Sequence, residues 1–172
     1  MHKTILSALV AFACLSVSVR ADSAAGYLAC RNADFADNGI GPGFMYSWDL
    51  DMGVRIDSRL SYIQFYEPDL DMVPLEVAIA YQLEEFMYQP YAGFGAGWYF
   101  LNANRGDADG DIGFQLFTGM EADVGWDFDV FAEISWLFLE SDVDGVFAAT
   151  EKTASKIDLD GFGLSVGLMY RF

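Results

Sequence analysis

Charged side chains recur at every second position inside runs that are otherwise rich in apolar residues. One run holds Arg55, Asp57 and Arg59, and other runs hold Glu76, Glu121, Asp123, Glu133 and Arg171 at matching positions. Successive side chains of a strand point to opposite faces, so we predict that these groups share one interior face. Because a buried charge is costly unless it is paired, we predict a salt-bridge network there. Its expected partners are Arg55 and Arg59 on one side and Glu121 and Glu133 on the other.

A second acidic cluster resembles part of a calcium-binding loop. Asp107, Asp109 and Asp111 alternate with Ala108 and Gly110. An EF-hand loop places its glycine after three spaced ligands and a glutamate further on, whereas Gly110 comes too early and no such glutamate follows. We therefore predict no specific metal site and no cofactor. Acidic loops of this kind are instead expected to attract divalent cations diffusely.

The composition excludes several classes of function. The formal charge of −17 opposes binding to nucleic acid, whose phosphates would be repelled. The only histidine is His2, near the amino terminus, so no histidine-based triad or zinc site is expected in the rest of the chain. Carboxylates are frequent, but no spacing singles out an acid and a base. We predict that the protein is not an enzyme.

The first 21 residues have the pattern of a cleavable secretion signal. Lys3 gives a short positive start, residues 5–17 are apolar apart from small polar residues, and Val19 and Ala21 suit the positions that specify cleavage. We predict a signal peptide over residues 1–21 and one mature domain over residues 22–172. Cys30 would then be the only cysteine of the mature chain, which excludes an internal disulfide.

The mature chain divides into eight runs in which apolar residues alternate with small or polar ones. The runs are predicted at residues 26–34, 41–48, 53–66, 74–83, 90–101, 112–124, 130–140 and 161–172. Strict alternation predicts two-faced strands. In the third run Ile63 and Phe65 are apolar on the otherwise polar face, which predicts a bulge or an end that protrudes above the lipid. The first run is the weakest because Arg31 and Asn32 place a polar group on each face.

The last run has the clearest pattern. Its large apolar face consists of Phe162, Leu164, Val166, Leu168, Tyr170 and Phe172, and the other face is mostly glycine and serine. A face this small suits the crowded interior of a narrow barrel whose apolar face meets lipid. The run, with its final Tyr170-Arg171-Phe172, resembles the carboxyl-terminal signal of bacterial outer-membrane β-barrels. Over the whole mature chain the architecture resembles the OmpA/OmpX-type small barrels.

This resemblance implies an all-β fold, an eight-stranded antiparallel up-and-down transmembrane barrel, in a Gram-negative outer membrane. It implies contact with outer-membrane lipids and lipopolysaccharide, and recognition of Leu164, Val166, Leu168, Tyr170 and Phe172 by the barrel-assembly machinery. The connections after the second, fourth and sixth runs are short, whereas the others are generally longer. Short turns face the periplasm in such barrels, which predicts that both termini are periplasmic.

Aromatic residues gather near both ends of the predicted strands. Trp48 and Trp126 lie near the predicted periplasmic ends, and Trp98 and Trp136 lie near the external ends. Amphipathic rings favour the boundaries between water and lipid, so these four residues are predicted membrane-interface anchors.

Three functions are compatible with this architecture. The first is a structural role in envelope integrity or a surface-interaction role of an adhesin type. The second is a small ion or solute pore gated by the internal charge network, although eight strands enclose room for side chains and little else. The third is a soluble, secreted, lipocalin-like barrel that holds a ligand, which would require large apolar residues on the inner face.

Overall fold

The computed structural model describes residues 22–33, 38–66, 70–83, 88–103, 107–108, 110–144 and 156–172. The predicted signal peptide, residues 1–21, lies outside these ranges. The strands are β1 (Ser23–Ala33), β2 (Gly39–Asp49), β3 (Val54–Ser61), β4 (Ile63–Phe65), β5 (Leu70–Gln82), β6 (Tyr88–Ala103), β7 (Asp107–Ala108), β8 (Asp111–Gly125), β9 (Phe128–Phe138), β10 (Glu140–Asp144), β11 (Lys156–Asp158) and β12 (Gly161–Arg171). Among the described residues, no helix is long and apolar enough to span a membrane.

Nine of the described strands form a closed antiparallel barrel of eight strands, because β3 and β4 together make one barrel strand. The neighbours around it are β1, β2, β3 with β4, β5, β6, β8, β9 and β12, and β12 pairs again with β1. The closing ladder runs from Ser23 opposite Arg171 to Ala33 opposite Gly161. The eight-stranded antiparallel barrel predicted from the sequence is thus confirmed, including the first strand, whose pattern was weakest. We call the end that carries Ser23 and Phe172 the termini end and the opposite end the loop end.

The alternation of the third predicted run continues without a bulge. Gly43 opposite Ser61 and Gly39 opposite Phe65 belong to one register, so β3 and β4 form a single barrel strand interrupted at Tyr62. Ile63 and Phe65 point inward and are almost fully buried. The predicted bulge was therefore wrong: the strand keeps its two faces, and its inward side chains change from polar to apolar at Ile63. The alternative, an end that protrudes above the lipid, stays a prediction.

A second, three-stranded sheet stands at the loop end of the barrel. Its strands are β7, β10 and β11, with β10 in the middle. The sequence predicted only connections over residues 102–111 and 141–156, so this part of the prediction was wrong. Two-residue and three-residue strands such as β7 and β11 are too short to show an alternating pattern.

The outer surface of the barrel is apolar over most of the strand positions. Exposed large side chains include Leu28, Val77, Phe94, Phe114, Leu116, Ile134 and Val166. The inner positions between them are buried and hold the charged side chains together with glycine, serine and alanine. An apolar exterior around a partly polar interior is the reverse of a soluble barrel and is typical of a transmembrane one.

Candidate functional site

Five charged side chains of alternating sign form an unbroken series of ion pairs inside the barrel. Their order is Glu121, Arg55, Asp57, Arg59 and Glu133. We call this set the charge chain. Arg55 pairs with Glu121 and places Nε 2.9 Å from Asp57 Oδ1. Arg59 lies 2.8 Å from Asp57 Oδ2 and 2.7 Å from Glu133 Oε1. All five side chains are at least nine-tenths buried, so each charge depends on its neighbours for solvation.

Neutral side chains complete the hydrogen bonding of the carboxylates. The Ser47 hydroxyl donates to Asp57 Oδ1 at 2.7 Å, and the Tyr91 hydroxyl donates to Glu133 Oε2 at 3.1 Å. Gln82 donates through Nε2 to Glu121 Oε2 at 2.9 Å. Charges with this many bonds are held in one geometry, because each displaced group would leave a buried partner unsatisfied.

Aromatic rings cover the two central arginines. The Arg55 guanidinium carbon lies 4.9 Å from the centre of the Tyr91 ring, and that of Arg59 lies 4.3 Å from the centre of the Phe117 ring. Both distances allow a cation–π interaction, which strengthens where water is excluded. Glycines make room for these rings: a Cβ at Gly93 of β6 would lie 2.5 Å from the Phe117 ring, and a Cβ at Gly119 of β8 would meet the Tyr91 ring.

Further buried polar groups lie next to the charge chain. Glu76 accepts a hydrogen bond from the Tyr99 hydroxyl. Arg31 Nη1 and Gln115 Nε2 have no hydrogen-bond partner among the described residues, and both side chains line a cavity of about 20 Å³. A cavity of that size has room for about one water molecule. It leaves no space for an organic ligand, which opposes the lipocalin-like alternative.

Apolar side chains fill the interior at the loop end. This apolar plug consists of Ala29, Ala33, Ile63, Phe65, Leu70, Met72, Tyr99, Leu101, Leu137, Leu139 and Leu159. This plug was not predicted from the sequence. The signal was present, however, because the inward positions of several runs become apolar at the same end: Ile63 and Phe65 after Arg59, and Leu137 and Leu139 after Glu133. The described interior thus holds the charge chain together with a small apolar cluster toward the termini end, and it is mainly apolar, apart from Arg31, toward the loop end. The small cluster consists of Ala25, Met45, Phe131 and Met169.

A separate ion pair lies at the termini end. Arg171 Nε is 2.8 Å from Asp129 Oδ2, and Arg171 Nη2 is 3.2 Å from Asp123 Oδ2. The Arg171 and Asp123 side chains are 42% and 64% exposed, in contrast to the buried charge chain. The structure thus brings five of the predicted network residues together and places Arg171 apart, at the mouth of the barrel.

The remaining predicted site residues occupy the surface or fall outside the described side chains. Trp98 and Trp136 are exposed toward the loop end, and Trp48 and Trp126 lie at the termini end, with Trp126 in a tight turn. The apolar face of β12, from Leu164 to Phe172, points outward. Of the proposed cation loop, the Asp107 and Asp109 side chains are outside the described set, and Asp111 accepts a hydrogen bond from the Ile112 amide at 2.8 Å.

The barrel is similar to solved bacterial membrane proteins. Neisserial surface protein A superposes with a TM-score of 0.67 at 15% identity, over 87% of this chain and 95% of that one. The outer membrane protein OprG from Pseudomonas aeruginosa gives 0.67 at 12% identity, over 89% and 97%. The chain has the fold of the small outer-membrane β-barrels. No family model and no curated protein matches the sequence.

The same fold occurs as a domain of a larger protein. The N-terminal β-barrel domain of OprF from Pseudomonas aeruginosa superposes with a TM-score of 0.53 at 13% identity, over 88% of this chain and 98% of that chain. At these identities the similarity concerns the fold. The small-barrel architecture is what the pattern of the last strand predicts, and it is consistent with the OmpA/OmpX-like resemblance.

Proposed function

We propose that the protein is a non-enzymatic integral protein of a bacterial outer membrane, whose barrel is a closed scaffold with a structural or surface-interaction role. The observation that carries this proposal is an apolar outer surface around a filled interior. An apolar exterior needs lipid, and a filled interior leaves the ends of the barrel as the parts available to partners.

The orientation and targeting belong to the same proposal. Residues 1–21 act as a cleaved secretion signal, and both termini face the periplasm, because the turns on the termini side, such as Trp126–Asp127, are short. Lipopolysaccharide surrounds the outer half, and divalent cations gather at the acidic loops without a dedicated site. Trp48, Trp98, Trp126 and Trp136 anchor the barrel at the two lipid boundaries.

Fractionation tests the location directly. We expect the protein in the detergent-dependent fraction of outer membranes, and we expect unheated samples to migrate differently from boiled samples on a denaturing gel. Recovery from the soluble periplasm without detergent would contradict the proposal. An Ile134→Asp variant, which places a charge on the outer face of β9, should fail to accumulate as a folded species.

A deletion separates the structural role from the surface-interaction role. Residues 145–155, which lie between β10 and β11 in the chain, can be replaced by a short glycine–serine linker that leaves the residues of both strands in place. If the loop end binds a partner, cells with the deletion lose attachment to host cells or matrix and keep resistance to bile salts and detergents. If the barrel serves envelope integrity alone, both properties match those of wild-type cells, and only loss of the whole protein has an effect.

A further inference from the structure

A small cavity lies inside the barrel where the charge chain meets the apolar plug. Arg59 of the charge chain and Ile63 of the apolar plug both line it. The rest of the lining is mostly polar and includes Arg31, Glu76 and Gln115. Its volume is about 20 Å³, which is room for about one water molecule and for no larger ligand.

Three N–H groups of this lining have no hydrogen-bond partner among the described residues. They are Arg31 Nη1, Arg59 Nε and Gln115 Nε2. Each belongs to a residue that is more than nine-tenths buried, so bulk water does not solvate it. Because a buried N–H group is unfavourable without an acceptor, three of them around one cavity indicate that the cavity contains an acceptor.

Arg31 differs from the other buried arginines in its partners. Arg55 and Arg59 each form ion pairs with two carboxylates, whereas Arg31 forms none with the residues that the structure describes. Glu76 lines the same cavity, and its carboxylate accepts a hydrogen bond from the neutral Tyr99 hydroxyl. A cation and a carboxylate that have no ion pair in the described part of the chain therefore border the same small space.

The charges of the described interior determine which kind of acceptor fits. Leaving aside the ion pair at the mouth of the barrel, buried carboxylates outnumber buried arginines. The carboxylates are those of Asp57, Glu76, Glu121 and Glu133, and the arginines are Arg31, Arg55 and Arg59. An anion such as chloride would add to this negative excess where water is excluded. A cation would leave the three N–H groups without an acceptor, so a neutral acceptor fits best.

We propose that this cavity binds one ordered water molecule, which accepts hydrogen bonds from Arg31 and Gln115 and donates one to Glu76. Buried waters typically make about three hydrogen bonds, which matches this set of groups. Arg59 already contacts two carboxylates through its other nitrogens, so the two acceptor positions of the water serve the other two donors. The water makes Arg31 the counter-cation of Glu76. The site goes beyond the proposed function, because it depends on inward side chains and not on the membrane outside.

Crystals of the full chain, grown in detergent and soaked in sodium bromide, test the occupant. Anomalous scattering locates bromide, so it distinguishes an anion from a water. We expect one water peak at about 2.7–3.2 Å from Arg31 Nη1 and from Gln115 Nε2, without anomalous signal. Gln115→Met replaces the amide by an apolar group of similar length and should lose the peak. Gln89→Met is the matched control and should keep it, because Gln89 bonds to Gln82 at the termini end, outside the cavity.

A double-mutant cycle in urea tests the link between Arg31 and Glu76 independently of crystals. Arg31→Met, Glu76→Gln and the double variant are compared with wild type, and folding is checked by heat-dependent gel migration. We expect the double variant to shift the urea midpoint by less than the sum of the two single shifts. Additive shifts would overturn the role of Arg31 as the counter-cation of Glu76.

The crystallographic outcomes separate the site from its occupant. Absence of the peak in wild type, or its persistence in Gln115→Met, overturns the water site. A bromide peak in the cavity overturns the assigned occupant and shows an anion site instead. If Gln115→Met does not fold, Arg31→Met takes its place in the crystals, and loss of the peak is expected there too.

Discussion

Arg59 is one of the two cations that hold the charge chain together. It contacts Asp57 and Glu133, and both carboxylates are almost fully buried. We expect Arg59→Ala to lower the free energy of unfolding by about 3–5 kcal/mol, because it leaves two buried carboxylates without their shared cation. Urea unfolding of the refolded protein in micelles, followed by tryptophan fluorescence, measures this loss.

Arg171 provides a matched control for that measurement. It also contacts two carboxylates, but its own side chain is 42% exposed and that of Asp123 is 64% exposed. Asp129 is only 7% exposed beside Arg171, and truncation of the exposed Arg171 side chain opens its carboxylate to water. We expect Arg171→Ala to cost less than about 1 kcal/mol. If both variants lost the same stability, burial would not be what makes the charge chain important.

The close approach of Gly41 to Tyr62 can be tested by adding a single methyl group at Gly41. A Cβ at this position would lie 1.6 Å from the Tyr62 carbonyl oxygen, so the backbone must move. We expect Gly41→Ala to destabilise the barrel by at least ~3 kcal/mol. Gly26→Ala, on the neighbouring strand with nothing within 4 Å, should stay within ~0.5 kcal/mol of wild type. Equal urea midpoints for the two variants would contradict this account.

Some residue contacts could be predicted from the sequence and others could not. Alternation places Arg55, Arg59, Glu121 and Glu133 on one face, and the cost of an unpaired charge requires that they meet. Glu76 lies opposite Arg59 on the neighbouring strand β5. The sequence does not specify that Arg59 forms its ion pair with Glu133 rather than with Glu76. That choice depends on the tilt of the strands and on Phe117, whose ring supports the guanidinium.

At the scale of elements, β12 is expected to carry information for assembly as well as stability. Phe172 is 69% exposed and contacts the Tyr170 ring at a centroid distance of 5.6 Å. We expect Phe172→Ala to lose most of the assembled protein in cells if the final strand is recognised by the barrel-assembly machinery, as its resemblance to the outer-membrane signal implies. In purified form the same variant should refold in micelles with stability within ~1 kcal/mol of wild type.

A second exposed aromatic residue at the termini end serves as a control. It distinguishes recognition of Phe172 from a general effect of losing an exposed aromatic side chain. Trp126 is 90% exposed in the turn between β8 and β9. Trp126→Ala should assemble in cells like wild type, as measured by the folded band of unheated outer-membrane extracts. If Phe172→Ala also assembled normally, β12 would not act as the proposed signal.

The eight barrel strands were predictable because each is long enough to show alternation on two faces. The short strands β7, β10 and β11 were not, since their pairing is set by neighbouring elements rather than by a repeated pattern. The misinterpretation of Ile63 and Phe65 has a different cause. An apolar residue on an interior face indicates a break only if the whole interior is polar, and in this barrel the interior changes character along its length.

At the scale of the whole molecule, the interior contains two barriers in series. The charge chain occupies the part toward the termini end, and the apolar plug occupies the loop end. A permeating ion would have to displace paired charges and then cross a mainly apolar layer beside the buried Arg31. The second step is unfavourable for an ion whatever the state of the first, which distinguishes this arrangement from a gate formed by the charges alone.

Planar-bilayer conductance distinguishes the two arrangements. We expect no discrete openings from wild type or from Arg59→Ala, because the apolar plug remains closed when the charge chain is broken. Phe65→Ala, which removes a fully buried ring from the plug at a cost of about 3–5 kcal/mol, should also stay closed because the charges remain paired. Only the double variant should show brief openings. Openings in wild type that change in Arg59→Ala would show instead that the charge chain is a gate and that the protein is a pore.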